Sequence, residues 1–456
     1  MNPKYQVPLA LACALAIAAP AYSAVTAEEA AALKTTLTPF GAERAGNKEG
    51  TIPAWEGGIK ATPMATNGTI PDLFGDDKPL FTITAQNMSQ YADKLSDGVK
   101  GLLQKYPSYR IVVYPTRRTA SAPQWVYDNT FANATRATLE PKGEMGPFPV
   151  KAFGGIPFPI TKSGEEAIWN HSLGWNGEGY TNVTEQGRVT PDGTLVLASQ
   201  SRATIAFPYY RKDWDLAKWE AAGSEIYLRR IDTLGPPIRA GEMIAARGRM
   251  DDSKTQVYTY LTGQRRVRRL PLACCDVPNP VSGGIANFDE LQTFFGGIGR
   301  YDWKLVGKRE MYIPYNANKY HQPKTSAEAL AAPHINPDLV RFELHRVWVV
   351  DATVKAGERH SAPKARFYLD EDTWLAAAGD RYDAQGKLWK VSFLLPTAEP
   401  GLPGVVPIGY HVYDMIRGGY FGVSYNPYGD KAIKYLDKFP PDKMFTPEAI
   451  SGEGVR

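Results

Sequence analysis

The side chains that most often carry chemistry are few in this sequence, and their spacing matches no familiar site. Six histidines occur among 456 residues, and none of them forms His-Glu-x-x-His or another close ligand spacing. Beyond the first 23 residues the cysteines are Cys274 and Cys275, whose adjacency cannot supply the two separated pairs of a structural zinc site. We therefore predict no metal site and no cofactor.

Motifs of nucleotide binding and acyl transfer are also absent. The sequence contains no Gly-x-Ser-x-Gly elbow, no Walker loop and no Gly-x-Gly-x-x-Gly opening a βαβ unit. A catalytic triad is defined by geometry in space, so residues distant in sequence can still form one. We predict that the protein is not an enzyme. An exported hydrolase or isomerase of a hydrophobic substrate, with His345 or His360 as its base, stays open as an alternative.

Two charged clusters have both a functional and a structural interpretation. Asp370-Glu371-Asp372 lacks the oxygen-ligand spacing and the glycine of a calcium loop, so we expect a solvated turn. Gln264–Leu270 contains four arginines that could grip phosphate or nucleic acid. Because the whole chain carries a net charge of only +4, we favour a strand whose arginines meet acidic neighbours, and predict no nucleic-acid partner.

The composition favours a strand-rich globular protein. Aromatic residues make up 11% of the chain, and 42 glycines and 36 prolines provide frequent turns. Hydrophobic residues are 43% and charged residues 22%, which excludes a disordered or fibrous chain. The predicted fold class is therefore α+β and β-rich.

The N-terminus has the pattern of a secretory signal. Lys4 precedes an apolar run from Val7 to Ala19, and Ala21-Tyr22-Ser23 fits a cleavage site before Ala24. The run is shorter than the roughly 20 residues that a membrane-spanning helix needs. We predict a signal peptide over residues 1–23 and a mature protein in the periplasm, free or associated with the outer membrane.

The mature chain divides into two parts by its pattern of turns and periodicity. Residues 24–80 predict a short helix and an extended arm, rich in Gly and Pro, that packs on the body. Residues 81–456 predict one large β domain with helical insertions. Predicted helices cover 88–103, 163–168 and 288–295, and predicted strands cover 109–114, 125–131, 195–207, 226–231, 243–249 and 256–261.

The strand signal is strongest at residues 341–354, followed by strands at 364–368 and 387–395 in a predicted meander. Apolar side chains of one parity share a face of the first strand with Arg346. This face is either core or a ligand-lining surface, and the guanidinium needs a carboxylate or an anionic headgroup as partner. The candidate lining residues are Phe342, Leu344, Arg346, Trp348 and Val350.

Several segments together resemble a Gram-negative family of unknown function. The segment 37–55, Tyr114-Pro115-Thr116, the stretch 263–270 and Phe367–Trp374 with Asp383 and Gly386 carry the resemblance. They resemble the domain of unknown function 1329 family, labelled outer-membrane lipoprotein-sorting protein. That family is similar to the periplasmic lipoprotein carriers. The resemblance implies a curved antiparallel sheet, an incomplete barrel, with helices covering its open side.

The function implied by this resemblance is binding without chemistry. We expect a periplasmic carrier for a lipid, a lipoprotein acyl chain or another hydrophobic compound, acting in transport across the cell envelope. A second alternative to the carrier is a non-catalytic accessory subunit of an envelope transporter or an outer-membrane barrel. The sequence leaves open the identity of the ligand, the direction of transport and the oligomeric state.

Overall fold

The computed structural model describes residues 24–63, 70–141, 143–270, 275–425 and 433–453. The predicted signal peptide and Cys274 lie outside these described residues. No helix within the described ranges has the length and hydropathy needed to cross a membrane.

The dominant element is one sheet of 16 strands, in which strands that follow one another in the chain mostly pair antiparallel. Its path runs β1-β2-β12-β13-β14-β15-β16-β17-β5-β6-β7-β8-β9-β10, while β11 pairs with β12 and β18 pairs with β5. A separate hairpin joins β3 to β4. The strands are β1 Phe81–Ile83, β2 Ile111–Val113, β3 Thr138–Glu140, β4 Phe148–Val150, β5 Gly179–Val189, β6 Leu195–Ala206, β7 Glu225–Gly235, β8 Met243–Arg249, β9 Gln256–Leu261, β10 Arg266–Arg269, β11 Tyr301–Pro314, β12 Arg341–Val354, β13 Lys364–Asp370, β14 Ala376–Tyr382, β15 Leu388–Glu399, β16 Gly404–Asp414, β17 Tyr420–Tyr425 and β18 Lys434–Tyr435.

The helices are short and lie between strands. Ser163 accepts a hydrogen bond from the Glu166 backbone N–H and so begins the helix predicted there. The predicted helix at 88–103 is two elements, a 3₁₀ helix Met88–Lys94 and a capped α-helix. The α-helices are α1 Ala27–Ala31, α2 Asp97–Lys105, α3 Gln124–Arg136, α4 Gly164–Ser172, α5 Leu216–Ala221, α6 Ser326–Ala329 and α7 Pro447–Glu453.

The sheet is curved and does not close into a barrel. β11 approaches β14 and β15, although β12 and β13 lie between them in the sheet. The rings of Phe342 on β12 and Phe393 on β15 are likewise only 6.3 Å apart across this bend. The predicted fold class, a strand-rich α+β protein with an unclosed antiparallel sheet, is confirmed.

The prediction of a strand at 125–131 is wrong, because these residues belong to α3. Val126, Thr130, Asn133 and Ala134 are its buried side chains, at helical spacing along one face. The local richness in aromatic and β-branched residues suggested a strand, but tertiary packing of this helical face overrides that weak propensity.

The C-terminal meander contains one strand more than predicted. β14 lies between β13 and β15 and pairs antiparallel with both. Its first residues are Ala376-Ala377-Ala378-Gly379, which lack the β-branched and aromatic side chains that mark a strand in sequence. Neighbouring strands on both sides hold this segment in the sheet.

The predicted arm packs against the body, as its apolar residues suggested. Trp55 Nε1 donates a hydrogen bond to the Ala120 carbonyl at 2.9 Å. Ile52 is buried in the larger core cluster, together with residues of α2, β11 and β15. The arm is thus held by both apolar and polar contacts. The division of the chain into an arm and one domain stays a prediction.

Candidate functional site

The five candidate lining residues lie on β12, but they do not share one apolar surface. Phe342 and Leu344 belong to one core cluster, whereas Val350 belongs to another. These three side chains are at least 95% buried among protein atoms. Trp348 is half-buried and stacks on Trp374, with ring centroids 6.2 Å apart. Whether any of them contacts a ligand stays a prediction.

Arg346 has a carboxylate partner within the protein. Its Nε donates to Glu371, and its Nη2 donates to the backbone carbonyls of Glu43 at 3.0 Å and Ala45 at 2.8 Å. The sequence allowed either a carboxylate or an anionic headgroup as the partner of this guanidinium, and the structure shows a carboxylate, that of Glu371. The remaining donors bind the arm, so this guanidinium fastens the arm to β12.

The acidic turn that follows β13 is buried, which makes the prediction of a solvated turn wrong. Asp370, Glu371 and Asp372 are 3% exposed or less. Arg118 satisfies Asp372 through two hydrogen bonds of 2.6 and 2.8 Å. A run of three acids is normally solvated, and sequence alone does not reveal the buried cations that overturn this expectation.

His345 lies in the same cluster, between Asp370 at 3.0 Å and Glu343 at 3.2 Å. Burial alone would lower the pKa of His345, but hydrogen bonds and charges from Asp370 and Glu343 raise it to about 10. His345, Asp370 and Asp372 could geometrically gather around a metal ion. An imidazolium and the Arg118 guanidinium already occupy these ligand atoms, so the donor set does not fit a metal.

His360, the other base considered from sequence, is also bound by protein groups. Its Nε2 lies 2.8 Å from Asp289 Oδ2, and its Nδ1 lies 2.6 Å from the Tyr301 hydroxyl. Neither His345 nor His360 lines the apolar pocket described next. Both histidines therefore lie outside the pocket that we take as the candidate site.

An apolar pocket lies between strands of the sheet and residues 292–296, and we call it the inner pocket. α4, β5, β7, β16 and β18 contribute to it, together with residues 292–296. Tyr227 and Arg229 lie two residues apart on β7, so their side chains are on the same face of the strand, and both line the pocket. The pairing of β7 with β8 shifts register between Glu225 and Tyr227, which allows Ile226 to line the pocket as well. Its main apolar walls are Trp169, Tyr180, Phe207, Phe294, Phe295 and Ile408.

The inner pocket is narrow. The space between its walls is about 980 Å³ with the open mouth included, while about 90 Å³ can be reached by the centre of a water molecule. One water molecule needs roughly 10–15 Å³ of the volume that a water centre can reach. The pocket therefore has room for a slender group such as one alkyl chain, and not for several chains side by side.

His171 contributes a neutral polar group to the wall. The Ala376 backbone N–H donates to Nδ1 at 3.1 Å, so Nε2 carries the proton and donates to the Phe294 carbonyl at 3.2 Å. Burial lowers the pKa of His171 to about 4. The imidazole is thus uncharged at neutral pH, and it links α4 to the chain on the opposite wall.

Residues 288–296, which we call the cover segment, are anchored by buried charges. Lys390 Nζ lies 2.9 Å from Glu290 Oε2, and both side chains are 1% exposed or less. Arg381 donates from Nη2 to the Thr293 carbonyl at 2.6 Å. Gln292 and Thr293 adopt left-handed backbone, with φ of 50° and 74°, a conformation that costs energy without glycine. These anchors hold the cover segment in place as a wall.

A second hollow lies on the other side of Arg249, which lines both spaces. It is wider, with about 290 Å³ open to the centre of a water molecule. Its walls include Lys151, Glu220, Asp251 and Lys254. Because a site for apolar ligands needs mostly apolar walls, we take the inner pocket as the candidate functional site.

Three of the arginines, Arg266, Arg268 and Arg269, lie on β10 at the end of the sheet path, and Arg265 lies in the turn before it. All four are exposed. In the described ranges, no carboxylate oxygen lies within 4.0 Å of Arg265, Arg266, Arg268 or Arg269. The expectation that they meet acidic neighbours is therefore wrong. β10 is an edge strand that pairs, among the described strands, with β9 alone.

Fold and site together define an α+β protein whose open antiparallel sheet retains an apolar pocket under a fixed cover. The family model described as "Protein of unknown function (DUF1329)" matches residues 82–451. The chain belongs to this family, which confirms the resemblance seen in the sequence. It is 38% identical over 444 residues to Uncharacterized protein PA3922 of Pseudomonas aeruginosa, with 95% of each chain covered.

Solved structures show more distant likeness. A DUF1329 family protein from Desulfovibrio piger is 13% identical, with a TM-score of 0.40, and covers 60% of this chain and 92% of its own. A putative outer membrane lipoprotein-sorting protein domain from Vibrio parahaemolyticus is 10% identical, with a TM-score of 0.42, and covers 63% and 98%. LolA superfamily protein NE2245 from Nitrosomonas europaea is 12% identical, with a TM-score of 0.36 and the same coverage.

Proposed function

We propose that this protein is a non-enzymatic periplasmic carrier that shields one hydrophobic molecule between the inner and outer membranes. Its ligand is a lipid, a lipoprotein acyl chain or another apolar compound. The observation that supports this proposal is the inner pocket, because its aromatic and aliphatic walls leave a slot that the side chains of the described residues do not fill.

The size of the slot limits what can be carried. Burying about ten methylenes contributes about 8 kcal/mol before the costs of ordering, at roughly 0.8 kcal/mol for each. One chain of this length is enough for useful affinity. The open mouth leaves the rest of a larger ligand outside, where the next protein in the route can reach it.

The exposed arginines of β10 favour a second role that is compatible with the first. A carrier must meet a donor and an acceptor, and the exposed guanidinium groups of Arg265, Arg266, Arg268 and Arg269, which meet no carboxylate of the described residues, attract an acidic surface. Such a surface could belong to an envelope transporter or an outer-membrane barrel. Replacing the four arginines together with serine should abolish co-purification with that partner and leave bound ligand unchanged.

The carrier role can be tested on protein purified from its native host. We expect solvent extraction of the denatured protein, followed by mass spectrometry, to release one apolar compound in near-stoichiometric amount. Ile226→Trp places a large side chain in the inner pocket and should reduce that amount at least tenfold. Ile416→Trp is the matched control, because Ile416 is 46% exposed and lies outside the pocket.

Two results would contradict the carrier role. The first is wild-type protein that releases no apolar compound and binds no fluorescent fatty acid. The second is equal ligand content in the Ile226→Trp and Ile416→Trp variants, since it would place the ligand elsewhere.

A further inference from the structure

Arg229 is a cationic side chain in the wall of an otherwise mostly apolar pocket. It extends from β7 into the inner pocket beside Tyr227 of the same strand. Its guanidinium carbon lies 5.1 Å from the Tyr227 ring centroid and 5.4 Å from the Phe295 ring centroid. The two rings therefore fix the position of the guanidinium between β7 and the cover segment.

This guanidinium has no carboxylate partner in the described part of the chain. Its Nε is buried and makes no hydrogen bond, and no carboxylate oxygen lies within 4.0 Å of its nitrogens. The arginines around it are paired: Arg230 with Asp232 at 3.0 Å, and Arg247 with Glu225 at 2.8 Å. A buried donor without an acceptor is costly, so it calls for a partner that the described protein groups do not supply.

Contacts with aromatic rings compensate only part of this cost. Cation–π contacts contribute about 0.5–2 kcal/mol and provide no hydrogen-bond acceptor in the plane of the guanidinium. The charge of Arg229 also acts on two neighbouring tyrosines of the pocket wall. Burial raises the pKa of Tyr180 and Tyr227, and the positive charge of Arg229 lowers it, so the two effects oppose each other. The pocket thus contains a positive charge and free donors facing an apolar slot.

The carboxylates near this pocket are committed to other groups. Asp252 lines the pocket, but it accepts hydrogen bonds from Thr255 and from the Gly297 backbone, and burial raises its pKa. Glu225 is held by Arg247 and by Arg249, the latter at 3.4 Å. Neither acid neutralises Arg229 directly.

We infer that the ligand of the inner pocket is an anionic amphiphile whose oxyanion head, a carboxylate or a phosphate, binds Arg229 while its apolar body fills the slot. This inference rests on the proposed function and specifies its class of ligand. A guanidinium matches both oxyanions through paired hydrogen bonds, which its two terminal Nη atoms can donate. Neither Nη atom of Arg229 is among the buried atoms without a partner.

The test measures displacement of a neutral fluorescent probe, N-phenyl-1-naphthylamine, from the full-length mature protein. Three competitors share one chain length: dodecanoate, dodecyl phosphate and uncharged 1-dodecanol. We expect at least one of the two anions to displace the probe at a concentration about tenfold or more below that of the alcohol. The better anion identifies the head group.

Variants separate the head group from the slot. Arg229→Met and Arg229→Gln should lose the preference for anions over 1-dodecanol, and a circular dichroism spectrum like that of the wild type shows that they fold. Arg202→Met is the matched control, because Arg202 is exposed on the neighbouring β6 and should keep the preference.

Three outcomes would overturn this inference, and they differ in what else they affect. Equal displacement by all three competitors in the wild type, or an anion preference that survives in both Arg229 variants, overturns the role of Arg229 and leaves the carrier function intact. Failure of the wild type to bind both the probe and 1-dodecanol overturns the carrier function together with the inference.

Discussion

Lys390 Nζ lies 2.9 Å from Oε2 of Glu290, and this buried ion pair ties the cover segment to β15. Glu290 Oε2 also accepts a hydrogen bond from the Asn287 backbone N–H at 2.8 Å. A charge buried to this extent is tolerated only with its partner. The pair thus makes the wall of the inner pocket a fixed part of the fold.

Removing one partner of this pair should be costly. We expect Lys390→Met to lower the free energy of unfolding by about 3–5 kcal/mol, because it leaves the Glu290 carboxylate buried without its ammonium. Urea denaturation followed by circular dichroism measures the change. Adding Glu290→Gln to Lys390→Met should restore part of the loss.

The matched control is an exposed ion pair. Arg110 and Asp338 are 38% and 58% exposed, so Arg110→Met should change the free energy of unfolding by less than about 1 kcal/mol. Equal effects of Arg110→Met and Lys390→Met would show that burial of the Glu290 pair does not matter.

The protonation of His345 should make stability depend on alkaline pH. Its pKa of about 10 in the folded protein lies above the ordinary value of 6.5. The stabilisation is therefore complete below pH 6.5 and is lost as the pH rises through 10. We expect the difference in unfolding free energy between wild type and His345→Gln to be largest near pH 6 and to shrink steadily towards pH 10.

His321→Gln is the control for this pH dependence. Burial lowers the pKa of His321 to about 3, so its imidazole stays neutral from pH 6 to pH 10. The effect of His321→Gln on stability should stay constant over that range. A constant effect of His345→Gln would mean that His345 is not charged in the folded protein.

The arm should be held less firmly when Arg346 loses its planar group. Arg346→Lys keeps the charge near Glu371, but one ammonium cannot also reach both arm carbonyls in the same geometry. We expect faster hydrogen exchange in residues 43–55, by about tenfold or more, with little change in β14 and β15. Arg309→Lys, at an exposed position on β11, should leave the exchange unchanged.

The sheet could be predicted from sequence where side chains alternate clearly. β12 has the predicted bounds 341–354, and β8 and β9 also coincide with their predicted ranges. Alternation is a local property, so it needs no knowledge of the rest of the chain. The alanine-rich β14 could not be predicted, because it is a strand through pairing with its neighbours and its own composition does not indicate one.

The candidate site was harder to predict, because its walls are distant in sequence. The strand signal at 226–231 included Tyr227 and Arg229, which share a parity, and this was the available clue to the β7 wall. The other walls come from α4, β16 and residues 292–296. The arm carbonyl of Glu43 that binds Arg346 was equally distant in sequence, since Glu43 precedes Arg346 by 303 residues. Its carboxylate partner Glu371 follows it by only 25 residues.

The most direct test of the central claim is to locate a bound chain in the protein. Crystals of the mature protein soaked with 12-bromododecanoate would show the bromine by its anomalous scattering. We predict one bromine site between β5, β7 and β16 beneath the cover segment, with the carboxylate at Arg229. Bromine found only outside the inner pocket, with the slot between Tyr227 and Phe295 unchanged, would contradict the account.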